Sequence, residues 1–312
     1  MIFITGATGH IGNNLVRVFI EHQTPCRLLL RRLGPALDNL DIDYVIGDIF
    51  DPAFLKQHIQ PKDTLIHVAG VIDLTAKYRL DSDKVNVEGT KIIANFCAEN
   101  DVTLIYVSSV DCINKPSRNA LIHEPNNFHI ETIKSHYAKA KAQGTAYVLH
   151  LINQNTLKGA IVYPSAVIGI HDYKPSAAGN QMMIAYKRRI LPYIKGGYNF
   201  IDVRDVAAAL YHIVTKPILG SFILSAHEVT IKEFYQVIAR FADHRKWIIP
   251  VPNFLAKFGA LFLKSVSNVM IDAVEENYHY DHSRMKSELH IEPRSFEATV
   301  QDTIEWFKNK RS

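Results

Sequence analysis

The feature that most constrains the fold stands at the start of the chain. The apolar run Ile2-Phe3-Ile4 passes directly into the stretch TGATGHIG, and a helical pattern of apolar residues follows over residues 10–21. Glycines let the backbone turn tightly and approach a pyrophosphate, while the unpaired N–H groups and the dipole of a helix attract its negative charge. Glycines spaced GxxGxxG between a strand and a helix therefore predict a dinucleotide-binding turn.

Strand-like and helical segments alternate through the first half of the chain. Apolar, strand-like runs cover residues 2–5, 26–30, 44–46, 64–68, 103–107 and 159–163, and helical patterns cover residues 10–21, 52–59, 84–99 and 133–153. This alternation predicts parallel strands joined by helical crossovers, and the near-continuous apolar strands predict a sheet that is covered on both faces. The predicted fold class is α/β, with a doubly wound parallel sheet of the Rossmann type.

The pattern loosens after about residue 165. Short strands are predicted near Phe200 and over 221–224, with helices over 205–214, 231–241 and 296–308. A length of 312 residues fits two domains at about 150 residues each. We predict a dinucleotide-binding domain over residues 1–165 and a smaller, mostly helical substrate-binding domain over 166–312, some of whose strands and helices can return to the first domain.

Composition excludes several classes of partner and of site. The chain carries 35 Lys and Arg against 31 Asp and Glu, a net charge of +4, which is too small to predict nucleic-acid or membrane-surface binding. Its three cysteines, Cys26, Cys97 and Cys112, fit neither a disulfide framework nor a zinc site, which predicts a reducing compartment. His279 and His282 lie beside Asp281 without a further ligand pattern, so no metal site is predicted.

The longest apolar stretch covers residues 254–271 and is interrupted by Lys257 and Lys264. Because a bilayer span needs roughly 20 uninterrupted apolar residues, this stretch predicts an amphipathic or buried helix and no membrane insertion. The first residues carry no basic region or cleavage site of a targeting signal. We therefore expect a cytoplasmic protein.

The end of the second strand indicates which dinucleotide would bind. An acidic residue at this point would accept a hydrogen bond from the ribose 2′-hydroxyl of NAD, but the chain has Arg31 and Arg32. Guanidinium groups suit a 2′-phosphate, so the sequence favours NADP(H) and leaves NAD(H) open. Further along the predicted cofactor edge, the third and fourth strands are followed by Asp48-Ile49 and Val68-Ala69-Gly70.

A tyrosine and a lysine in one helical pattern carry the predicted chemistry. Tyr137 and Lys141 are four residues apart, which places them on one face of a helix. A neighbouring ammonium group would lower the pKa of the phenol from its ordinary value of about 10 and allow Tyr137 to act as a general acid or base. Ser109 ends the fifth strand, where its hydroxyl can donate to a substrate oxygen, and Asn86 could anchor the lysine.

Taken together, these motifs resemble a known superfamily. The runs TGATGHIG, GDIFD, HVAG, VNVEGT, YVSS, YAKAK, YPSAVIG and FIDVRDVA occur in the order found in the extended short-chain dehydrogenases/reductases, also called NAD-dependent epimerase/dehydratases. The resemblance covers most of the chain. Its details look more like dihydroflavonol reductases and 3β-hydroxysteroid dehydrogenases than like enzymes of sugar nucleotides.

The resemblance implies roles for particular residues. It implies a catalytic set of Ser109, Tyr137 and Lys141, with Ser108 as the fallback serine and Lys141 also holding the nicotinamide ribose. The cofactor would contact a larger set, which comprises Gly6, Thr8, Gly9, His10, Ile11, Gly12, Arg31, Arg32, Asp48, Ile49, Val68, Ala69, Gly70, Asn86, Tyr137, Lys141, Pro164 and Ser165. Tyr163 stands where many relatives have arginine, and His290 stands where they often have glycine.

The predicted function is an NADP(H)-dependent oxidoreductase that interconverts a ketone and a secondary alcohol on a small apolar molecule. The alternative is a nucleotide-sugar epimerase that uses the same three residues with tightly bound NAD. A third reading, a non-catalytic redox sensor, would not need the tyrosine–lysine pair. Tyr78, Tyr163 and Tyr173 are candidates for an apolar substrate pocket. The only expected partner is a small-molecule substrate, and the sequence leaves open whether the chain forms the homodimer common in the family.

Overall fold

A computed structural model describes residues 1–72, 80–115, 117, 119–252, 255–256, 271 and 274–310. Seven strands form one central sheet: β1 Ile2–Thr5, β2 Arg27–Leu30, β3 Asp43–Ile46, β4 Thr64–His67, β5 Thr103–Val107, β6 Gly159–Pro164 and β10 Gly220–Leu224. They lie in the order β10-β6-β5-β4-β1-β2-β3 and every neighbouring pair is parallel. The predicted doubly wound parallel sheet is confirmed.

Two small sheets lie outside the central one. One contains β7 Ala166–Ile168, β9 Gly197–Asp202 and β11 His227–Thr230, and the other contains β8 Ile190–Tyr193 and β12 Trp247–Pro250. Within the second sheet, β8 and β12 pair in parallel. The second half of the chain therefore contains more strands than its sequence pattern indicates, although helices cover more of its described residues than strands do.

Helices flank these sheets. Their bounds are α1 His10–Glu21, α2 Pro52–His58, α3 Leu80–Asp83, α4 Thr90–Glu99, α5 His136–Asn153, α6 Ala177–Lys187, α7 Val203–Thr215, α8 Ile231–Arg240, α9 Ser283–Ser287 and α10 Phe296–Asn309. A π-helical turn, Lys84–Gly89, joins α3 to α4. The predicted helix over 133–153 begins only at His136 because Ser135 caps it by accepting a hydrogen bond from the N–H of Ala138.

Both faces of the central sheet are buried. On one face, Leu15 and Phe19 of α1 pack with Leu210 and Ile213 of α7. On the other, Phe96 of α4 and other apolar side chains pack under α5. A third apolar cluster lies among α6, α8 and α10 and the small sheets.

The second half contributes directly to the central sheet. Strand β10 pairs with β6 along its whole length, and α7 packs against α1. Both β10 and α7 follow residue 165 in the chain, yet they pack with the central sheet of the first half. Of the apolar stretch 254–271, only Leu255, Ala256 and Ile271 are described, so the predicted helix lies outside the described residues. Among the helices that the structure describes, none has the length and apolarity of a membrane span.

Candidate active site

A large cleft runs along the carboxyl ends of the parallel strands. It encloses about 2510 Å³ and continues from the glycine turn to the small β8–β12 sheet. In doubly wound folds, ligands bind at this edge of the sheet, where the direction of strand order reverses. Here the reversal lies between β1 and β4, directly above the glycine turn.

The glycine turn is built by close backbone contacts. Gly6 has a φ of +74°, and a Cβ atom there would lie 2.5 Å from the backbone N of Ala69. A Cβ on Gly12 would lie 2.2 Å from the carbonyl oxygen of Gly6. Gly9 is the N-cap of α1, and it supplies no side-chain cap for the first turn. The turn therefore presents uncapped N–H groups at a helix N-terminus, which fits a pyrophosphate.

Most residues predicted to contact a cofactor do line the cleft: Gly6, Thr8, Gly9, His10, Ile11, Arg31, Arg32, Ile49, Val68, Ala69, Gly70, Tyr137, Pro164 and Ser165. Gly12, Asp48, Asn86 and Lys141 are not part of its lining. Gly12 shapes the turn from behind. Asp48 is exposed, and its Oδ1 accepts a hydrogen bond from the N–H of Phe50, which holds the start of the following loop.

Two guanidinium groups lie at the cofactor end of the cleft. Arg31 and Arg32 follow β2 directly, are exposed and line the cleft with Thr8 and Gly34. Neither forms an ion pair within the described part of the chain. Their charge is therefore available to an anionic group of a ligand.

His10 is the first residue of α1 and lines the cleft. Its Nε2 lies 3.0 Å from the carbonyl oxygen of Ile170, across the boundary between the two halves of the chain. Burial lowers the pKa of His10, although Asp172 opposes that effect. The neutral imidazole of His10 donates a hydrogen bond to this carbonyl and so connects α1 to the loop after β7.

Ser109 and Tyr137 meet on the cleft wall. Tyr137 lies in the first turn of α5 and is 5% exposed. It lines the cleft together with Ser109, whose hydroxyl is close enough to the phenol to lower its pKa, against the larger effect of burial. The Ser109 Oγ also accepts a hydrogen bond from the N–H of Asp111 at 3.2 Å. That bond fixes the serine hydroxyl beside the phenol, so both groups can reach one substrate oxygen.

The other hydroxyl of the pair lies below the cleft surface. The Ser108 Oγ is 2.6 Å from the Thr145 Oγ1 and 3.3 Å from the Cys112 Sγ, and Ser108 is buried. Ser108 therefore ties β5 to α5, whereas Ser109 faces the phenol.

Lys141 lies one helical turn below Tyr137 and is almost fully buried. Its Nζ donates to the carbonyl oxygen of Val107 at 3.1 Å and lies 5.2 Å from the centre of the Tyr106 ring. A Cβ on Gly70 would stand 3.2 Å from this Nζ and 3.2 Å from the Asn86 Oδ1. Only a residue without a side chain at position 70 leaves the ammonium so close to the cleft surface.

The net pKa of Tyr137 is raised, not lowered as the sequence predicts. Burial raises the pKa of the Tyr137 phenol well above its ordinary value, and Asp111 and Tyr106 raise it further. The ammonium of Lys141, which is bonded to the Val107 carbonyl, does not outweigh these effects. Tyr137 is therefore a neutral phenol that can donate a proton.

Asn86 holds the loop beside the lysine. Its Oδ1 accepts from the N–H of Val71 at 3.0 Å, and its Nδ2 donates to the Val71 carbonyl oxygen at 2.8 Å and to the Ser82 hydroxyl at 3.1 Å. It lies in the π-helical turn and is buried. Its side chain bonds to Val71 and Ser82 and not to Lys141, which corrects the prediction that it anchors the lysine.

A charged group on the opposite wall was missed by sequence reasoning. The Lys115 Nζ lies 2.8 Å from the Glu276 Oε2, and the Lys115 charge lowers the pKa of the Tyr280 phenol against the larger, opposite effect of burial. These residues line the cleft with Asp111 and Tyr198. They come from segments of the chain about 160 residues apart, and no local motif marks either one.

The three tyrosines predicted for the substrate pocket have different outcomes. Tyr173 lines the cleft. Tyr163 does not, because it is fully buried in the core behind β6. Tyr78 lies outside the described residues.

The histidines near residue 280 and the three cysteines have ordinary roles in the described part of the chain. His279 bonds to Glu228 and His123 bonds to Asp281, and no group of three metal-ligating side chains occurs in the described part of the chain. All three cysteines are free thiols.

Comparisons with known proteins point to one group of enzymes. Residues 3–185 match the profile described as "3-beta hydroxysteroid dehydrogenase/isomerase family". Sterol demethylase protein B of Methylococcus capsulatus is 24% identical over 98% of this chain and 98% of its own length. A putative dihydroflavonol 4-reductase of Synechocystis is 29% identical, covering 98% of this chain and 94% of its own.

Solved structures share the fold. The crystal structure of gox2253 superposes with a TM-score of 0.87 at 24% identity, covering 99% of this chain and 98% of the other. The structure of MoeE5 in complex with UDP-glucose and NAD superposes with a TM-score of 0.77 at 17% identity, covering 100% and 99%.

Proposed function

Because the chain belongs to the 3-beta hydroxysteroid dehydrogenase/isomerase family, we propose that it uses NADP(H) to interconvert a ketone and a secondary alcohol on a small apolar molecule. Family membership confirms the resemblance to the extended short-chain dehydrogenases/reductases, and with it the prediction of an enzyme that uses a nicotinamide cofactor. The reaction, the substrate class and the preference for NADP(H) are the proposal.

The observation that carries the proposal is that Ser109 and Tyr137 line the same cleft, with the serine hydroxyl close enough to the phenol to influence its pKa. In the direction of reduction, the Ser109 hydroxyl donates to the carbonyl oxygen and orients it. Tyr137 then transfers its phenolic proton to the same oxygen as general acid. Bound NADPH supplies the hydride that the carbonyl carbon accepts. The product is a secondary alcohol, and the phenolate of Tyr137 is reprotonated from solvent.

The buried ammonium of Lys141 supports this proton transfer. Before the transfer it is bonded to the Val107 carbonyl, and it lies in the same helix as Tyr137, one turn away. Positive charge at this distance favours the phenolate that proton transfer leaves behind. We assign Lys141 this role together with contact to the ribose of the cofactor across Gly70.

The preference for NADP(H) rests on Arg31 and Arg32. Both stand at the end of β2, line the cleft and are free of ion pairs among the described residues. A 2′-phosphate placed there would receive two charge-assisted contacts.

The lining of the substrate half supports an apolar substrate. Beyond Tyr137, the cleft is walled by Ile72, Ile133, Tyr193 and Leu255. The names of the two relatives, a sterol demethylase protein and a putative dihydroflavonol reductase, refer to ring-containing molecules. We therefore propose a ring-containing ketone or alcohol as substrate.

The test replaces Tyr137 with Phe. The purified enzyme is assayed with NADPH and NADH against a panel of steroid ketones, dihydroflavonols and aliphatic ketones, by loss of absorbance of the reduced cofactor. Turnover on an identified substrate should fall by roughly 10² to 10⁴, while NADPH binding measured by calorimetry stays nearly unchanged. Retained turnover in the Tyr137→Phe variant would overturn the assignment of the proton donor.

A nucleotide-sugar epimerase is the second candidate. The similarity of this fold to MoeE5, whose structure contains UDP-glucose and NAD, favours it, as does a cleft that is large enough for two nucleotides. It predicts NAD that stays bound through purification and no net oxidation or reduction of a sugar substrate. Calorimetric titration with UDP-glucose separates it from the first candidate.

A further inference from the structure

The small sheet of β8 and β12 buries only one of its faces. Leu191 and Ile248 point into the third apolar cluster or pack against it. The alternating residues face outward, and Ile190, Trp247 and Ile249 are 59%, 55% and 45% exposed. Because Ile190 pairs with Trp247 and Pro192 pairs with Ile249, these four side chains form one continuous surface, which we call the β8–β12 face.

Such a surface differs from the scattered apolar residues found on any soluble protein. Single exposed apolar side chains are normal, whereas a contiguous apolar patch marks a binding surface. Strand pairing places large side chains about 5 Å apart across the sheet. Although Arg245 lies over the Trp247 ring, Trp247 and Ile249 stay 55% and 45% exposed.

Basic side chains surround this face. Lys187, Arg188 and Arg189 lead from the end of α6 into β8 and are all exposed. The guanidinium of Arg245 lies 4.8 Å from the centre of the Trp247 ring. These four residues form no ion pair within the ranges that the structure describes. The nearby Asp243 is engaged by the Tyr186 hydroxyl at 2.6 Å and by Lys308 at 3.9 Å.

The face continues into the mouth of the cleft. Pro192 belongs to both surfaces, and Tyr193, Val251 and Leu255 line the cleft immediately beside it. Leu255 is half exposed. An apolar molecule could therefore pass from the β8–β12 face into the cleft over the apolar side chains of Pro192, Val251 and Leu255.

We propose that the β8–β12 face docks on a membrane of anionic phospholipids and that the cleft takes its apolar substrate from that membrane. Trp and Ile side chains insert at the boundary between headgroups and acyl chains. Arg and Lys side chains bind the anionic headgroups while their aliphatic parts stay against apolar surface. The overall charge of +4 gives no sign of this site, because the basic residues matter through their position. The docking proposal does not depend on the proposed function, whereas the statement that the substrate comes from the membrane does.

The test uses the full chain with NADPH and vesicles of phosphatidylcholine alone or mixed with phosphatidylglycerol. The chain has two tryptophans, so a Trp306→Phe variant leaves Trp247 as the only reporter. Vesicles with phosphatidylglycerol should shift its emission to shorter wavelength, brominated lipids should quench it, and co-sedimentation should show binding that weakens with added salt. Vesicles of phosphatidylcholine alone should bind weakly.

Two variants and their matched controls locate the surface. The combined variant Trp247→Ser and Ile249→Ser should weaken binding to the vesicles. Neutralising Lys187, Arg188 and Arg189 to Gln should weaken it by roughly fivefold or more for each basic residue removed. Ile46→Ser removes an equally exposed isoleucine from β3, on another sheet. Neutralising the exposed residues Lys56, Lys62 and Lys158 removes the same charge elsewhere. Both controls should bind like the parent chain.

Clear outcomes overturn the proposal. No binding to vesicles containing phosphatidylglycerol, or binding that the two surface variants leave unchanged, excludes docking through this face. A dimer in light scattering that Trp247→Ser disrupts, without vesicle binding, assigns the face to a second copy of the chain. Melting curves check that the variants fold. Because no turnover is measured, failure here leaves the proposed reaction untouched, and an inactive enzyme that binds vesicles leaves docking intact.

Discussion

The hydroxyl of Ser108 lies 2.6 Å from the hydroxyl of Thr145, below the cleft, while the hydroxyl of the adjacent Ser109 lies beside the Tyr137 phenol on the cleft wall. Ser109 has extended backbone angles, φ −160° and ψ 149°, and successive side chains on extended backbone point to opposite sides. Thr145 donates its own proton to the carbonyl oxygen of Lys141 at 2.6 Å, so Ser108 must donate to Thr145. The two serines therefore have separate roles, one in packing and one at the site.

Replacing each serine with Ala should separate these roles. Ser109→Ala should lower turnover on the order of 10²-fold, because a hydrogen-bond donor to the carbonyl oxygen is lost, and it should leave the free energy of unfolding within about 0.5 kcal/mol. Ser108→Ala should cost about 1 kcal/mol of stability, because the Thr145 oxygen loses its donor, and it should change turnover little. Urea unfolding and steady-state kinetics on both variants check this, and the reverse pattern would make Ser108 the serine at the site.

Arg31→Gln combined with Arg32→Gln should reverse the cofactor preference. Each charge-assisted contact to a phosphate contributes about 1.5–3 kcal/mol, so the Kd for NADPH should rise by at least about tenfold. The Kd for NADH should change little, because it carries no 2′-phosphate. Calorimetric titration with both cofactors measures the change. Exposed Lys62, far from the cleft, supplies the control Lys62→Gln, and equal weakening of NADH and NADPH would contradict the assignment.

His67 should make the protein less stable in mild acid. Its Nδ1 bonds to the Thr5 hydroxyl at 2.8 Å, and burial, followed by the charge of Lys141, lowers its pKa from 6.5 to about 3. Between these values the unfolded chain binds a proton that the folded chain does not, so the free energy of unfolding falls as pH falls. The slope from this group is about 1.4 kcal/mol per pH unit.

The variant His67→Gln isolates that contribution. Urea unfolding of parent and variant from pH 6.5 to pH 4 should show their difference in unfolding free energy changing with pH by about 1.4 kcal/mol per unit, in the direction that favours the variant at low pH. His150 is exposed at the end of α5, and His150→Gln controls for the loss of a surface histidine. A pH-independent difference between parent and His67→Gln would mean that His67 titrates normally in the folded protein.

Gly6→Ala should damage both stability and cofactor binding. The residue has φ +74°, and its new Cβ would stand 2.5 Å from the backbone N of Ala69, which cannot move without shifting β4. We expect a loss of at least about 2 kcal/mol in unfolding free energy and weaker NADPH binding. Gly34→Ala is the matched control, because its Cβ would find only the Thr8 side chain, at 3.8 Å. Equal stability of the two variants would contradict the prediction.

Local patterns were sufficient for most of the central sheet. The predicted run 64–68 corresponds to β4 at Thr64–His67 and the run 159–163 to β6 at Gly159–Pro164, because continuous apolar segments between turns record burial on both faces. The glycine turn was equally clear, since backbone angles and close contacts at Gly6 are requirements that only one residue type meets.

Long-range contacts decided the rest. The place of β10 beside β6, the burial of Tyr163 and the meeting of Lys115 with Glu276 depend on segments far apart in the chain. The sequence by itself determined the strands of the central sheet, most of the helices and the presence of serine, tyrosine and lysine, because these follow from local spacing and recurrent motifs. It did not predict β7, β8, β11 or β12. Only the tertiary structure decided which serine faces Tyr137 and that its phenol stays protonated, because burial and electrostatic fields arise from neighbours that no local pattern specifies.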